Sequence, residues 1–315
     1  MDTIRAITLF VRVADLQSFT AAATATGLSK SMISKEINKL EESMGTRLLH
    51  RSTRHLSLTP IGEGYLRHCR EILLKLSDAE SFVQDLHGKP KGKLKISVPM
   101  ALGLSHLAQV FVDFMKEYPD VELDIHLGDE PSDLIEQGFD LGFRIASKTF
   151  DSNYIGKRLG EFSYRICAAP DYLETHPAIK EPRDLLHHNC FIYSYFRGKD
   201  VWPLDNGLKI SGQLKVNSTP FMLEAIKRGL GIGFLPEFVC QEALAKGLVQ
   251  EILASVKKPK LTLYALYPAR LYIPLKLVKC IEYLEQWFRN SDFNPQRQAQ
   301  NRPGQAVNEN PWTSN

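Results

Sequence analysis

Residues 18–59 read SFTAAATATGLSKSMISKEINKLEESMGTRLLHRSTRHLSLT, and the order of signals in this stretch decides the fold. Ser18 is placed to cap a short helix that buries Phe19, Ala22 and Ala23. Alanines at the contact let a second helix cross close above the first. Gly27 permits the turn Gly27-Leu28-Ser29, and Ser29 is placed to cap the next helix. Along that helix Ile33, Ile37, Leu40 and Met44 recur at helical spacing and form the stripe expected to be buried. The opposite face carries Lys30, Ser31, Ser34, Lys35 and Asn38. A helix lying in a DNA major groove needs such a face: hydroxyls and amides for base edges, ammonium groups for phosphates. Arg51-Ser-Thr-Arg54 follows, then Leu56 and Leu58 alternate with polar neighbours. That pattern predicts a two-stranded wing with arginines at its tip, within reach of the DNA backbone or minor groove. An alanine-rich helix pair with a polar outer face is common in proteins that never touch DNA. The turn, the capped third helix, its donor face and the arginine wing, taken in this order, point to a winged helix-turn-helix.

Working outward, Ile4, Ile7, Val11 and Ala14 fall at helical intervals before this stretch. After it, Thr59 and Pro60 mark the start of another helix. There Cys69, Ile72, Leu76, Ala79, Val83 and Leu86 alternate at steps of three and four, a heptad seam suited to pairing with a second copy of the chain. The alternative is a helix packed on its own domain. From Pro60 to His87 it would extend ~42 Å at ~1.5 Å per residue, until Gly88-Lys-Pro-Lys-Gly92 breaks it.

The dense set Phe19, Ala21 to Ala23, Leu28-Ser29, Ile33-Ser34, Leu40-Glu41, Gly45, Arg47-Leu48, Arg51, Arg54, Leu58-Thr59 and Gly62 resembles the LysR-type transcriptional regulators. The resemblance continues more loosely to about residue 290 through GKLKISVP, EYPDVELDI, GFDLGFRI and GLGIGFLP. It implies an α plus α/β protein: an N-terminal winged helix-turn-helix, a long linker helix, and a C-terminal effector domain of two α/β subdomains like a periplasmic binding protein. It also implies a homotetramer, a dimer of dimers, whose partners are double-stranded promoter DNA, a small-molecule effector and RNA polymerase. The expected boundaries are 1–59 for the DNA-binding domain, 60–87 for the linker and 88–290 for the effector domain. Within the last, subdomain I takes 92–161 and 268–290, and subdomain II takes 162–267.

The residues beyond 92 agree with this by their own pattern. Leu94–Val98, Val121–Leu127 and Leu141–Ile145 read as strands, Leu107–Tyr118 as an amphipathic helix and Asp133–Gln137 as a short one. Ser163–Ala168, Leu214–Val216, Ile232–Leu235 and Leu261–Tyr267 read as further strands, with helices near Pro182–Leu186, Thr219–Arg228 and Leu275–Phe288. Alternation of this kind predicts a parallel sheet covered by helices. The tail 291–315, rich in Asn, Gln and Pro, is expected to be disordered.

Composition narrows the function without naming it. The net charge of +3 excludes a polybasic tail. Residues 1–60 hold eight Lys/Arg against five Asp/Glu, so DNA affinity must come from local placement. No apolar run approaches ~18 residues and MDTIRAITLF lacks a signal-peptide layout, so a cytoplasmic protein with no membrane partner is expected. The odd number of cysteines, Cys69, Cys167, Cys190, Cys240 and Cys280, fits reduced buried thiols, with a peroxide-sensing pair as the alternative. No GxSxG, HExxH or Walker loop is present. Gly229-Leu-Gly-Ile-Gly233 follows a helix and enters a strand, the reverse of a dinucleotide fingerprint, and His187-His188 lacks a second ligand cluster. No enzyme activity, cofactor or metal is expected.

A small-molecule site is expected at the C-terminal ends of the strands, where helix N-termini present free N–H groups. Three segments qualify: Pro99 to Gly103 with Met100, Ala101 and Leu102, then Gly128-Asp129, then Asn217, Ser218 and Thr219. Tyr193 and Phe234 are candidates to stack on a ring. In LysR-type relatives the first segment often carries Ser or Thr that hold an anion, whereas this chain has Met100 and Ala101. That departure favours an aromatic or otherwise apolar acid over a small, highly charged effector. Two other readings stay open: an α/β ligand-binding or enzymatic protein with a vestigial helical head, and a DNA-binding protein that needs no effector.

Overall fold

The computed structural model describes residues 2–291 except 52–55, 87, 131–133, 136, 147–153, 197, 199, 206 and 271. The head opens with α1 (Thr3–Leu16), α2 (Phe19–Thr26) and α3 (Lys30–Met44). Each starts on a side-chain cap. Asp2 accepts from the Arg5 N–H at 3.1 Å, Ser18 from Ala21 at 3.2 Å and Ser29 from Met32 at 3.2 Å. Gly27, at φ +67°, ends α2 in the left-handed region that the turn requires. Ile33, Ile37 and Leu40 of α3 are wholly buried, each stabilising the head by roughly 1.5–3 kcal/mol. Two expected core positions differ. Met44 is exposed because α3 ends there, and α1 turns Ala6, Ile7, Phe10 and Val13 inward while Ile4 stays exposed.

Strands β1 (Leu49–Arg51) and β2 (Leu56–Leu58) pair antiparallel, Arg51 opposite Leu56. The buried Glu41 carboxylate locks this wing to α3 by accepting from the N–H groups of Leu48 (2.8 Å) and Leu49 (3.1 Å). Thr59 then starts α4 (Pro60–Asp85): its hydroxyl accepts from the Gly62 N–H at 2.9 Å and donates to the Arg47 carbonyl at 2.9 Å. At about 1.5 Å per residue, the 26 residues of α4 span ~39 Å. Its first turns belong to the head, with Leu66 and Cys69 buried among the head's side chains. The seam therefore divides. Cys69 packs inside its own head, whereas Ile72, Leu76, Ala79, Val83 and Leu86 lie exposed along the rest of the helix.

The first α/β body contains β3 (Gly92–Val98), α5 (Met100–Leu102), a single π turn Gly103–Leu107, α6 (Ala108–Glu117), β4 (Val121–Leu127) and β5 (Leu141–Ala146). The helix expected from Leu107 thus begins at Met100. Of the short helix expected over 133–137, residues 134, 135 and 137 form turns and the others lie outside the described residues. Next comes β6 (Tyr154–Ala168), of which only Ser163–Ala168 was expected. The second body holds α7 (Pro170–Thr175), a 3₁₀ turn Pro182–His187, β7 (Ile192–Tyr193), β8 (Val201–Trp202), β9 (Leu208–Lys209), β10 (Lys215–Val216), α8 (Thr219–Lys227), β11 (Gly233–Pro236), α9 (Glu237–Ala245) and β12 (Gln250–Ile252). Then β13 (Lys260–Pro268) and α10 (Leu275–Asn290) return to the first body. The main sheet runs β11-β6-β13-β5-β3-β4, with β12 also on β6.

That sheet is mixed, which corrects the expectation of a parallel one. β3 pairs parallel with β4 and β5, but β13, β6, β11 and β12 are antiparallel to their neighbours. The reason is that β6 and β13 run between the bodies. Residues 154–163 of β6 pair with β13, and residues 164–168 pair with β11 and β12. Among the described residues no helix is long and apolar enough to cross a membrane. Of the tail expected to be disordered, 291–315, Ser291 is described and caps the end of α10, and the rest lies outside the described residues.

The start of α4 gives a matched test. A Cβ on Gly62 would lie 2.0 Å from the Leu48 carbonyl oxygen, whereas one on Gly64 meets nothing within 4 Å. Gly62→Ala is expected to destabilise by about 1–3 kcal/mol through overpacking, and Gly64→Ala to stabilise by ~0.5–1 kcal/mol. Denaturant midpoints of the two variants should therefore move in opposite directions.

Candidate nucleic-acid interface and ligand crevice

The burial of Ile33, Ile37 and Leu40 turns the opposite face of α3 outward. Ser31, Lys35 and Asn38 are exposed on that face and Ser34 is half-buried at its edge, while Lys30, exposed at the first position of α3, lies three residues before Ile33 on the side of the stripe. Ser29 is exposed as well, yet its hydroxyl already serves the Met32 N–H and lies 3.0 Å from the Ser31 hydroxyl. It therefore acts first as a helix cap. Arg51 has its backbone in β1, opposite Leu56. Arg54 lies outside the described residues. Sequence reasoning missed Glu41, whose carboxylate sets the angle between wing and helix. Its signal was an acidic residue four positions after Ile37, on the apolar face of the helix.

The parallel strands β3, β4 and β5 end on one edge of the first body, where a crevice of about 360 Å³ opens toward the second. Met100, Gly128 and Asn217 line it as expected from sequence, together with Leu127, Phe139 and Tyr195. Two tyrosine–carboxylate pairs bridge the bodies here. The Tyr195 hydroxyl donates to Glu130 at 3.2 Å, and Tyr193 hydrogen-bonds to Asp129. Asp129 also accepts from the Met100 N–H at 3.0 Å, filling the position where an anion would meet the first helical turn. Burial raises the Asp129 carboxyl above the usual carboxylate range, against the opposing pull of Tyr193, Met100 and Arg144. Burial, reinforced by that carboxylate, drives the Tyr193 phenol upward. Arg144 Nη1 holds the Phe143 carbonyl at 2.9 Å and the Ser97 hydroxyl at 3.4 Å.

Several expected crevice residues sit elsewhere. Phe234 is buried in the second body, stacked on Tyr164 at 4.2 Å and on Trp202 at 5.5 Å, because β11 turns it into the core. Ala101 and Leu102 point into the core of the first body. Ser218 caps α8 by accepting from the Phe221 N–H at 3.3 Å, and Thr219 is buried behind it. Glu130 and Tyr195 were missed, although Gly128-Asp129 and Tyr193 flagged both neighbourhoods. A larger, mainly apolar groove of about 550 Å³, with Phe191, Phe221 and Leu230 among its walls, opens on the second body away from these strand ends. All five cysteines are free and buried.

Comparison with known proteins places this architecture. Residues 4–63 match the model of the bacterial regulatory helix-turn-helix protein, lysR family, and residues 87–289 match the LysR substrate binding domain. An HTH-type transcriptional regulator of Haemophilus influenzae is 36% identical over 282 residues, covering 88% of this chain and 98% of that one. The HTH-type transcriptional activator TtdR of Escherichia coli is 30% identical over 288 residues, covering 89% and 91%. Among solved structures, CrgA, a LysR-type transcriptional regulator from Neisseria meningitidis, aligns with a TM-score of 0.59 at 28% identity, over 90% of this chain and 98% of that one. With both halves matched in order by one family's models and by full-length relatives, the chain belongs to the LysR family of transcriptional regulators.

Proposed function

We propose that this regulator reads promoter DNA with the exposed face of α3 and the β1–β2 wing, and that a small molecule in the crevice changes that binding. One observation carries the first part: a row of hydroxyl, amide and ammonium groups from Ser31 to Asn38 lies back to back with a fully buried apolar stripe, with Lys30 exposed at the start of the same helix. Ser31 and Ser34 face base edges, while Lys30, Lys35, Arg51 and Arg54 hold phosphates. The chain acts in the cytoplasm, and where it activates, RNA polymerase is its further partner. The reading involves no catalytic step. Ser31→Ala with Ser34→Ala is expected to relax sequence preference. Alanine at Lys30, Lys35, Arg51 or Arg54 should weaken binding to all sequences and flatten the salt dependence by about one unit each. Titrations at several salt concentrations distinguish these. An Arg54→Ala chain that binds as tightly as wild type would remove the wing from the interface.

The exposed run Ile72, Leu76, Ala79, Val83 and Leu86 supports pairing of two chains along α4. A dimer of dimers needs a second surface, and the groove beside Phe221 and Leu230 is the candidate. Ile72→Asp with Leu76→Asp would place unpaired carboxylates in the seam. Light scattering should then give a smaller particle, and DNA affinity should fall as paired half-sites are no longer engaged together. An unchanged mass would show that the seam does not hold chains together.

For the effector we propose a substantially apolar acid, aromatic in its simplest form. Leu127, Phe139 and Tyr195 supply apolar wall, and the carboxylate turns away from Asp129 and Glu130 toward Asn217 and the start of α8. At about a hundred times its dissociation constant such a ligand adds ~2.7 kcal/mol of stability. A thermal-shift panel of aromatic acids, dicarboxylates, sugars and amino acids on the full chain tests this. Stabilisation by small, highly charged compounds alone would overturn the apolar-acid reading.

A further inference from the structure

Asp78, Phe82 and Asp85 lie on one face of α4 beside the exposed seam, and the two carboxylates anchor that face while Phe82 between them stays half exposed. The face rests on the segment joining β13 to α10. The Asp85 carboxylate accepts from the Tyr272 hydroxyl at 2.5 Å and from the Leu275 N–H at 2.7 Å. The Phe82 ring stands edge-on to Tyr272 at 5.4 Å. At the centre is Arg270, whose side chain is only 3% exposed. Its Nη1 donates to Asp78 at 3.0 Å and its Nη2 to Asp140 at 3.2 Å, so one guanidinium joins the linker helix to the first body.

Asp140 continues the connection inward. Its Oδ2 accepts from the Lys95 N–H at 3.0 Å, and its own N–H donates to the Lys95 carbonyl at 2.9 Å. The residue before it, Phe139, lines the crevice and meets the His126 ring at 5.2 Å. The Lys95 ammonium lies 4.6 Å from the centre of the Phe139 ring and donates to the Gln137 carbonyl at 2.8 Å. Crevice wall, strand edge, guanidinium and linker helix are thus in unbroken contact from Phe139 through Asp140 and Arg270 to Asp78.

We infer that Arg270 is a positioning residue that couples the crevice to the linker helix, so that a displacement of the 137–140 segment is passed to α4. This rests on the reading that the crevice holds the effector. The chemistry favours an all-or-none link. A buried guanidinium deprived of one carboxylate keeps a charge without its partner, so Asp78 and Asp140 are held together or the contact opens as a unit. Lysine, with a single point charge, cannot span two carboxylates in this way.

The test uses hydrogen exchange of the 76–85 amides in the full chain and requires no effector. Phe139→Ala should speed that exchange about tenfold, the change expected when a local contact loosens by ~1.4 kcal/mol. Arg270→Gln should speed it at least as much, and adding Phe139→Ala to Arg270→Gln should bring no further change. Asp140→Asn, which keeps an acceptor for the Lys95 N–H but loses the charge, should behave like Arg270→Gln. Equal increments from Phe139→Ala with and without Arg270 would overturn the coupling, as would linker exchange indifferent to Phe139. Should Phe139→Ala fail to fold, Phe139→Leu takes its place in the same cycle. Promoter binding by wild type is measured separately. Its absence would remove the regulatory reading while leaving the exchange result to stand or fall alone.

Discussion

The backbone of β6 belongs to both α/β bodies at once, and most of what the molecule can do follows from that. Residues 154–163 are laddered to β13, and residues 164–168 to β11 and β12. Each ladder bond is worth only about 0.5–1.5 kcal/mol net, but they break together, so the bodies cannot part. What remains is bending and twisting about the two crossing strands. Between Leu263 and Tyr264 the pairing of β13 with β6 slips register, which adds local twist midway along that ladder. The bonds across the crevice, Tyr193 to Asp129 and Tyr195 to Glu130, are made by side chains and can exchange without disturbing the strands.

In the head the same economy governs charge. α3 carries Glu36, Glu41 and Glu42 as well as Lys30, Lys35 and Lys39, so its net charge alone would not favour DNA. Glu41 faces inward and is satisfied by two N–H groups of the wing, which hides an anion and fixes the wing in one step. Glu36 lies 3.4 Å from Lys39, a neighbour that offsets it. A modest basic excess therefore suffices, because placement decides which charges a phosphate meets.

The elements legible in the sequence were those whose side chains obey one period. α3 announced itself by Ser29, Ile33, Ile37 and Leu40, and β4 by strict alternation, because each packs a single face against a single partner. The first nine residues of β6, YIGKRLGEF, were not legible. Their pairing with β13 is a matter of backbone bonds, and Lys157, Arg158 and Glu161 hide the strand among charges. Phe234 and Tyr193 looked alike as aromatics beside strand ends, yet β11 directs the first into the core and β7 directs the second toward Asp129. Cys69 fits the heptad spacing perfectly but falls where α4 still belongs to the head. Arg270 gave no local signal, since its partners, Asp78 and Asp140, lie far away along the chain.

The burial of every cysteine has a practical side. Thiolates, not thiols, react, and burial pushes the Cys69 thiol up to about 11 and that of Cys190 up to about 12. Cys167, through its contact with Cys240 and its burial, and Cys280, by burial, are raised as well. With all five thiols buried, the folded chain is expected to react slowly with alkylating reagents. One cysteine introduced on the surface of α4 or α6 would then be the fast-reacting thiol of the protein, so spectroscopic reporters can be attached at a chosen point without first stripping the native sulfur from the core.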